Sequence, residues 1–438
     1  MLFVGVAMLA FLAIAPVLGQ TAQGAEPPAG AGAGAVGVLG APGVRGTPSG
    51  PGRPSPLAAV PYMGWNTYYG VGGRFDERTI LSVADSLIGR GLASAGYRIV
   101  WLDFGWASGG RDHHGELIVD RHQWPHGLSW LTGWLHRRGL LAGIYTDAGP
   151  SGCYGRGVGS LGHYRQDADS FARWGFDAVK VDFCGAGQAD IAPIPAYQQF
   201  ARALADNSSR RPLLLSVCNF WVPGQINGKR PTFDNSAYAN YRWAPRIAQS
   251  WRTDTDIGST GSIQFKNVLR NLDHDAAHPG AAHRGHWNDP DYLGPGLGMT
   301  ATQAQAQFSI WAILAAPLIL GSDPRALSSS AIKMLENRQV VAIDQDPLGI
   351  QGTAIQRDGS GQVWTKALAN GDFAVALFNR GSQAQRITTS ARRVGLAPVT
   401  SYRLQDLWAH TTRESFGAIS AFVAPQSVVL YRVAPGRA

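Results

Sequence analysis

Residues 179–185 read VKVDFCG, a short apolar run that carries two charges and stops at a cysteine. Val179 and Val181 are β-branched and Phe183 is aromatic, which is the composition of a buried strand. Lys180 and Asp182 sit inside the same run. Burying an unpaired carboxylate is costly, so a strand ending in Asp182 needs a reason beyond packing.

Seven comparable runs flank this one. YMGWNTY (62–68), IVWLDF (99–104) and LAGIYTD (141–147) precede it; LLLSVCN (213–219), SWRTDTD (250–256), HWNDPD (286–291) and PLILGSD (317–323) follow. Helical patterns separate them. Asp76 can cap a helix whose apolar positions are Ile80, Ala84, Leu87 and Ile88; Leu128, Leu131 and Leu135 repeat the spacing, and Gly139 supplies a stop. Eight strand–helix alternations predict an α/β fold, a (β/α)8 TIM barrel over 59–347, with the polar sixth and seventh runs as its least regular strands. From 348 to 438 the pattern changes to QVWTKAL, FAVALFN, SYRLQDLW and SVVLYRV between Gly, Asn and Ser turns, which predicts a C-terminal antiparallel β-sandwich.

The whole chain fits this division. Its 438 residues suit a barrel plus a smaller module, and 45% apolar content permits a large core. Fourteen Trp suit sugar stacking, although core packing is their commoner use. The net charge of +8 is spread over single and paired basic residues, without the clustering that nucleic-acid binding needs. The run LFVGVAMLAFLAIAPVLG (2–19), followed by small residues, predicts a signal peptide over 1–25 and hence a secreted protein with no transmembrane segment after cleavage, with an uncleaved anchor as the alternative because its length approaches a membrane span. A Gly/Ala/Pro-rich linker is expected over 26–58. Three cysteines in an exported chain suggest one disulfide and one free thiol. Asn207-Ser208-Ser209 fits a glycosylation acceptor.

The chemistry gathers at strand ends. Asp103, Asp147, Asp182, Asp256, Asp291 and Asp323 each close a predicted strand, and in such a barrel that end is the active-site rim. Any one of them could simply cap the next helix or shape a turn. Several carboxylates, with no phosphate loop, dinucleotide fingerprint or H-E-x-x-H motif, point to glycoside hydrolysis without a cofactor. His274, His278, His283 and His286 lie near Asp289 and Asp291, but their spacing matches no familiar ligand set, so no metal is expected.

The segments PYMGWNTYYG, GYRIVWLDFGW, HRRGLLAGIYTDAG, DAVKVDFCG, SWRTDTDI, HWNDPDYLGPG and IDQDPLGIQG resemble, in order, the motifs of glycoside hydrolase family 27, which comprises α-galactosidases and α-N-acetylgalactosaminidases. The resemblance runs from about Pro61 to the C-terminus. It implies a barrel with a C-terminal β-domain and a retaining hydrolase that cleaves terminal α-D-galactosyl residues from a carbohydrate substrate through a covalent intermediate. It further implies Asp182 as nucleophile and Asp256 as acid/base, although strand alternation alone leaves Asp254 as a rival. Trp65, Tyr145, Lys180, Arg252 and Asp291 match sugar-pocket positions. Cys153 and Cys184 match a bridged pair, while Cys218, with Ala248 at its usual partner position, should be free. Lys180, two residues before Asp182 on the same face, is expected to favour its ionised form.

Two positions depart from the resemblance. The family's Asp-Asp pair after the second strand is Asp103-Phe104 here, and its Cys-Glu-Trp after the fifth is Cys218-Asn219-Phe220. The missing carboxylates belong to sugar recognition, so Phe104 and Asn219 admit a shifted specificity, β-L-arabinopyranosidase or isomaltodextranase-like. A non-catalytic carbohydrate-binding protein is the alternative outside enzymology. The sequence does not indicate an oligomeric state.

Overall fold

The computed structural model describes residues 55–219 and 239–436. The expected signal peptide and most of the expected linker lie outside the described residues. The linker's last residues do not: Pro56–Ala58 form a 3-10 turn, Ala58 is buried, and its carbonyl accepts the Trp287 indole N–H at 3.0 Å.

Eight parallel strands form the first sheet: β1 (Met63–Asn66), β2 (Ile99–Leu102), β3 (Leu141–Asp147), β4 (Ala178–Asp182), β5 (Leu214–Cys218), β6 (Ser250–Arg252), β7 (Trp287–Asp289) and β8 (Leu318–Leu320). Their order is β8-β1-β2-β3-β4-β5-β6-β7. Closure comes late in the chain. Pro290 cannot donate to a ladder and Asp291 has φ of 85°, so β7 ends at Asp289 and the segment rejoins the sheet at Leu293, which bridges Leu320. Leu293 N–H donates to the Ile319 carbonyl at 2.8 Å, and Gly321 N–H to the Leu293 carbonyl at 2.7 Å.

The sixth and seventh expected strands are present, at three residues each. The β3–β4–β5 register aligns Tyr145 with Lys180 and Ser216, and Asp147 with Asp182 and Cys218. With side chains alternating every second residue, Lys180 and Asp182 project to one side and reach the same end of the barrel.

The helices follow the sequence pattern with one correction. Asp76 caps Glu77–Gly89 by accepting from Thr79 N–H at 2.8 Å, and Ile80, Val83, Ala84 and Leu87 are buried. Ile88, expected on the apolar face, is exposed. After β5 the described residues hold only the 3-10 turns Asn240–Arg242 and Ala244–Arg246. Helix Ala301–Leu314, started by a Thr300/Gln303 capping box, is buried over nearly its whole length because the C-terminal domain covers its outer side. Among the described residues no helix is long and apolar enough to cross a membrane.

The C-terminal domain is a β-sandwich of eight antiparallel strands: β9 (Thr353–Asp358), β10 (Gly361–Ala367), β11 (Phe373–Asn379), β12 (Gln385–Ser390), β13 (Tyr402–Asp406), β14 (Thr411–Ser415), β15 (Ala418–Val423) and β16 (Ser427–Pro435). One sheet runs β9-β10-β11-β16-β13-β14 and faces the pair β12-β15. The four alternating runs are β10, β11, β13 and β16; the other four strands are more exposed, and of these only β15, AISAFV, is largely apolar. The domain is fastened to the barrel by Arg380, bidentate to Asp273 at 2.7 Å, and by the Trp408 indole, which donates to Ser309 at 2.8 Å.

Candidate active site

The six rim aspartates divide into two sets. Asp103, Asp182 and Asp256 open onto one cavity of about 1120 Å³ at the C-terminal ends of the strands. The other three are occupied with the fold. Asp147 is fully buried and accepts from Gly149, Gly185 and Ala186 N–H at 2.7–3.0 Å. Asp323 shapes its own turn, accepting from Arg325 N–H and pairing with the Arg325 guanidinium. Asp291 accepts from Tyr69 and from Ile257 and Tyr292 N–H, and pairs with Arg252 at 2.6 Å.

Two buried cations organise the site. Lys180 Nζ donates to Asp103 Oδ2 at 2.9 Å and is ringed by Tyr68, Tyr145 and Tyr292, with centroids 5.9, 5.6 and 5.4 Å away. Asn66 donates to the same Asp103 oxygen at 2.7 Å. Arg252, 2% exposed, contacts Asp256 at 2.9 Å, Asp289 at 3.5 Å and Asp291 at 2.6 Å. Asp256 is the only one of these three partners that also lines the cavity, and its side chain is 27% exposed. Asp254, its rival on spacing, is buried against Arg270 and His274. Strand β6 ends at Arg252, so strand alternation does not extend to either residue.

Asp182 sits deeper, its side chain held by Phe183 N–H at 2.8 Å. The disulfide Cys153–Cys184 closes over it, with Cys153 Sγ 3.3 Å from Asp182 Oδ2. Gly185 completes the turn: a Cβ there would overlap the Ser151 carbonyl oxygen, so only glycine lets the β3 and β4 loops approach this closely. Lys180 does favour ionised Asp182, as expected, but burial outweighs it and pushes the carboxyl up to about 6. Asp147 is pushed up to about 7, mainly by burial and next by the adjacent Asp182 charge.

A strand-end carboxylate pair in a barrel capped by a β-sandwich agrees with the comparisons. The "Alpha galactosidase A" family profile matches residues 73–346, and the "Alpha galactosidase C-terminal beta sandwich domain" profile matches 358–433. The chain belongs to glycoside hydrolase family 27. It is 36% identical to an α-galactosidase of Oryza sativa subsp. japonica over 380 residues, 86% of either chain. It is 37% identical to α-galactosidase A of Cellvibrio japonicus over 335 residues, 75% of this chain and 78% of that one. The crystal structure of α-galactosidase I from Mortierella vinacea superposes with a TM-score of 0.77 at 28% identity, covering 87% of this chain and 98% of that one.

Within this family 27 chain the remaining expected residues fall in distinct places. Phe104 lines the cavity, its two ring edges against Gly73 and Gly152 and its ring T-shaped to Tyr145 at 6.0 Å. Trp65 is fully buried, its indole donating to the Ser322 carbonyl at 2.8 Å. Tyr145, Arg252, Asn219 and Asp291 are buried behind the described lining. Asn219 donates to Asn240, which in turn holds the Arg252 carbonyl at 2.8 Å. Cys218 is free and buried.

The four histidines scatter: His274 pairs with Asp254, His278 stacks on Tyr241, His283 bridges His286, and His286 bonds the Ala248 carbonyl. Asn207 is no accessible glycosylation acceptor; it is 1% exposed and its amide is bonded to the Leu204 and Arg211 carbonyls. The aromatic lining among the described residues is Tyr68, Phe104 and Tyr154 rather than Trp. Six of the tryptophans are instead fully buried in the core. Asn66, Tyr292 and Tyr154 are site residues beyond those expected from the sequence. Asn66 and Tyr292 sit in the first-strand and seventh-strand motifs, whereas Tyr154 carries no local signal.

Proposed function

We propose that this chain is an exported retaining α-galactosidase in which Asp182 attacks and Asp256 moves the proton. The observation that carries this reading is that the two carboxylates of the family motifs open onto one cavity, whereas Asp147, Asp254 and Asp291 near it are buried, do not line it, and are tied to the fold or to cations. Ionised Asp182 attacks the anomeric carbon and forms a glycosyl ester, as Asp256 gives its proton to the departing glycosidic oxygen. Asp256, now a carboxylate, takes a proton from water, and that water attacks the same carbon from the opposite side to the ester. Two inversions release the sugar with its original configuration.

Asp103, held by Lys180 and Asn66, offers acceptor oxygens to sugar hydroxyls at the cavity floor. The α-galactosidase names of the rice and Cellvibrio relatives support galactose as the sugar. The apolar N-terminal run supports a cleaved signal, with residues 26–54 as a spacer before a barrel that ends near 347 and a sandwich that follows it. The disulfide suits an oxidising compartment.

The test is trapping with a 2-deoxy-2-fluoro-α-galactosyl fluoride, then peptide mass spectrometry. The label is expected on the peptide that contains Asp182; labelling elsewhere refutes the nucleophile assignment.

A further inference from the structure

The mouth of the cavity carries groups that the two chemical steps do not use. Tyr154 is 77% exposed and lines the opening, and its φ of 61° puts a bulky residue in the left-handed region. Its backbone is fixed between Cys153, bridged to Cys184 beside the nucleophile, and Gly155, itself at φ 68°. An aromatic ring held in the open beside a sugar cavity offers a flat face with little entropy to lose on stacking.

Three cations share that opening. Arg74 and Arg156 lie on the loops after β1 and β3, and Lys266 lies in the first turn of the helix Phe265–Asp275 after β6, so three separate segments each bring one to the same cavity. All three are exposed, and none forms an ion pair among the described residues. The lining carboxylates do not balance them: Asp103 is taken by Lys180 and Asp256 by Arg252, which leaves Asp182 at the floor. The lining's fifth cation, Arg270, is already paired with Asp254.

Building on the α-galactosidase reading, we propose that the mouth is the leaving-group subsite, where Tyr154 stacks a pyranose and Arg74, Arg156 and Lys266 select one that bears an anion, a carboxylate or a sulfate. The preference is electrostatic and solvent-exposed, so it is moderate and sensitive to salt.

The test compares kcat/KM of the full-length enzyme on three α-galactosyl disaccharides whose leaving sugar is glucose, glucuronate or sulfated glucose, with methyl α-galactoside as the ringless reference. At low salt an acidic leaving sugar is expected to be favoured about five- to tenfold, and the advantage to shrink in roughly 0.3 M salt. Preference for either acidic sugar supports the proposal and identifies the anion. A triple R74A/R156A/K266A variant should erase the ratio of acidic to neutral. Tyr154→Ala should lower the ratio of disaccharide to methyl galactoside about tenfold, with Tyr154→Phe restoring it. Equal turnover of acidic and neutral disaccharides by the wild type overturns the proposal without need of any variant, as does a ratio that survives the triple substitution or the loss of the Tyr154 ring. Absence of turnover on every substrate, methyl α-galactoside included, removes instead the reading on which the proposal rests.

Discussion

Asp182→Asn is expected to abolish turnover and stabilise the protein, and the size of the second effect follows from burial. The Asp182 side chain is 5% exposed and its carboxyl is pushed from 3.8 up to about 6, chiefly by loss of water. A folded-state value above the unfolded one means that the native state binds the proton more tightly, so stability falls as pH rises from about 4 through about 6 and is lowest above that. A rise from 3.8 to about 6 corresponds to about 3 kcal/mol at neutral pH. Asparagine keeps the acceptor for Phe183 N–H and removes the charge that Asp147 also repels. Allowing for relaxation around the new amide, a gain of about 1–3 kcal/mol is expected at pH 7, which is a few degrees in Tm for a protein of this size. The gain should vanish near pH 4, where the wild-type carboxyl is protonated. Thermal unfolding of both proteins across pH 4–8, with kcat on nitrophenyl α-galactoside measured alongside, checks both halves. Loss of more than about 10⁴-fold in kcat is expected of a missing nucleophile. A variant less stable than wild type at pH 7, or one whose Tm difference ignores pH, refutes the reasoning.

Three further outcomes can be measured. Because Asp182 must be ionised to attack, kcat/KM should fall on the acid side of about pH 6, approaching tenfold per pH unit; a flat profile down to pH 4 contradicts the burial argument. Asp256→Asn should slow galactosides with sugar leaving groups by roughly 10²–10⁴-fold and dinitrophenyl galactoside far less, since that leaving group needs no proton; a uniform loss across leaving groups removes the acid role. Gly185→Ala must displace the Ser151 carbonyl beside the disulfide, so denaturant unfolding should show a loss of about 1–3 kcal/mol with a drop in kcat, and unchanged values for both would mean the two loops are not packed as described.

The barrel was legible because each strand ends in a distinctive residue. IVWLD, LAGIYTD and AVKVD are, Lys180 apart, without charge up to their final aspartate, and β2, β3 and β4 end at or one residue before it. What a single sequence does not contain is direction once a strand has ended. Asp254 and Asp256 looked equivalent by alternation, yet the chain has left β6 by Arg252, and only Asp256 turns to the cavity. Asp291 read as a sugar contact, whereas its φ of 85° lets its carboxylate accept from Tyr69, Ile257 and Tyr292 and anchor Arg252. Lys180 was read against its sequence neighbour Asp182; its ion pair is with Asp103, a residue on a strand two positions away around the barrel. Of the four remaining sandwich strands, β9, β12 and β14 have few apolar residues to bury and so leave little periodic trace, while β15, AISAFV, is largely apolar but does not alternate.

Charge balance also explains how the site accommodates Phe104 where the family pattern carries a second carboxylate. Lys180 and Arg252 are the buried cations of the inner site, and they already serve Asp103, Asp256, Asp289 and Asp291. Asp182, Asp147 and Asp291 are nevertheless all pushed upward by burial. Another carboxylate beside Asp103 would find both of these buried cations already paired, and its desolvation would raise its neighbours further. Phe104 avoids that cost and fills the space next to Gly73 and Gly152. The cavity floor is thereby divided: Asp103 presents carboxylate oxygens held by Lys180 and Asn66, and Phe104 presents an apolar ring. Under the proposed α-galactosidase reading, orientation of the sugar rests on Asp103 more heavily than where two carboxylates share the task, so the Lys180–Asp103–Asn66 network is expected to align the anomeric carbon over Asp182.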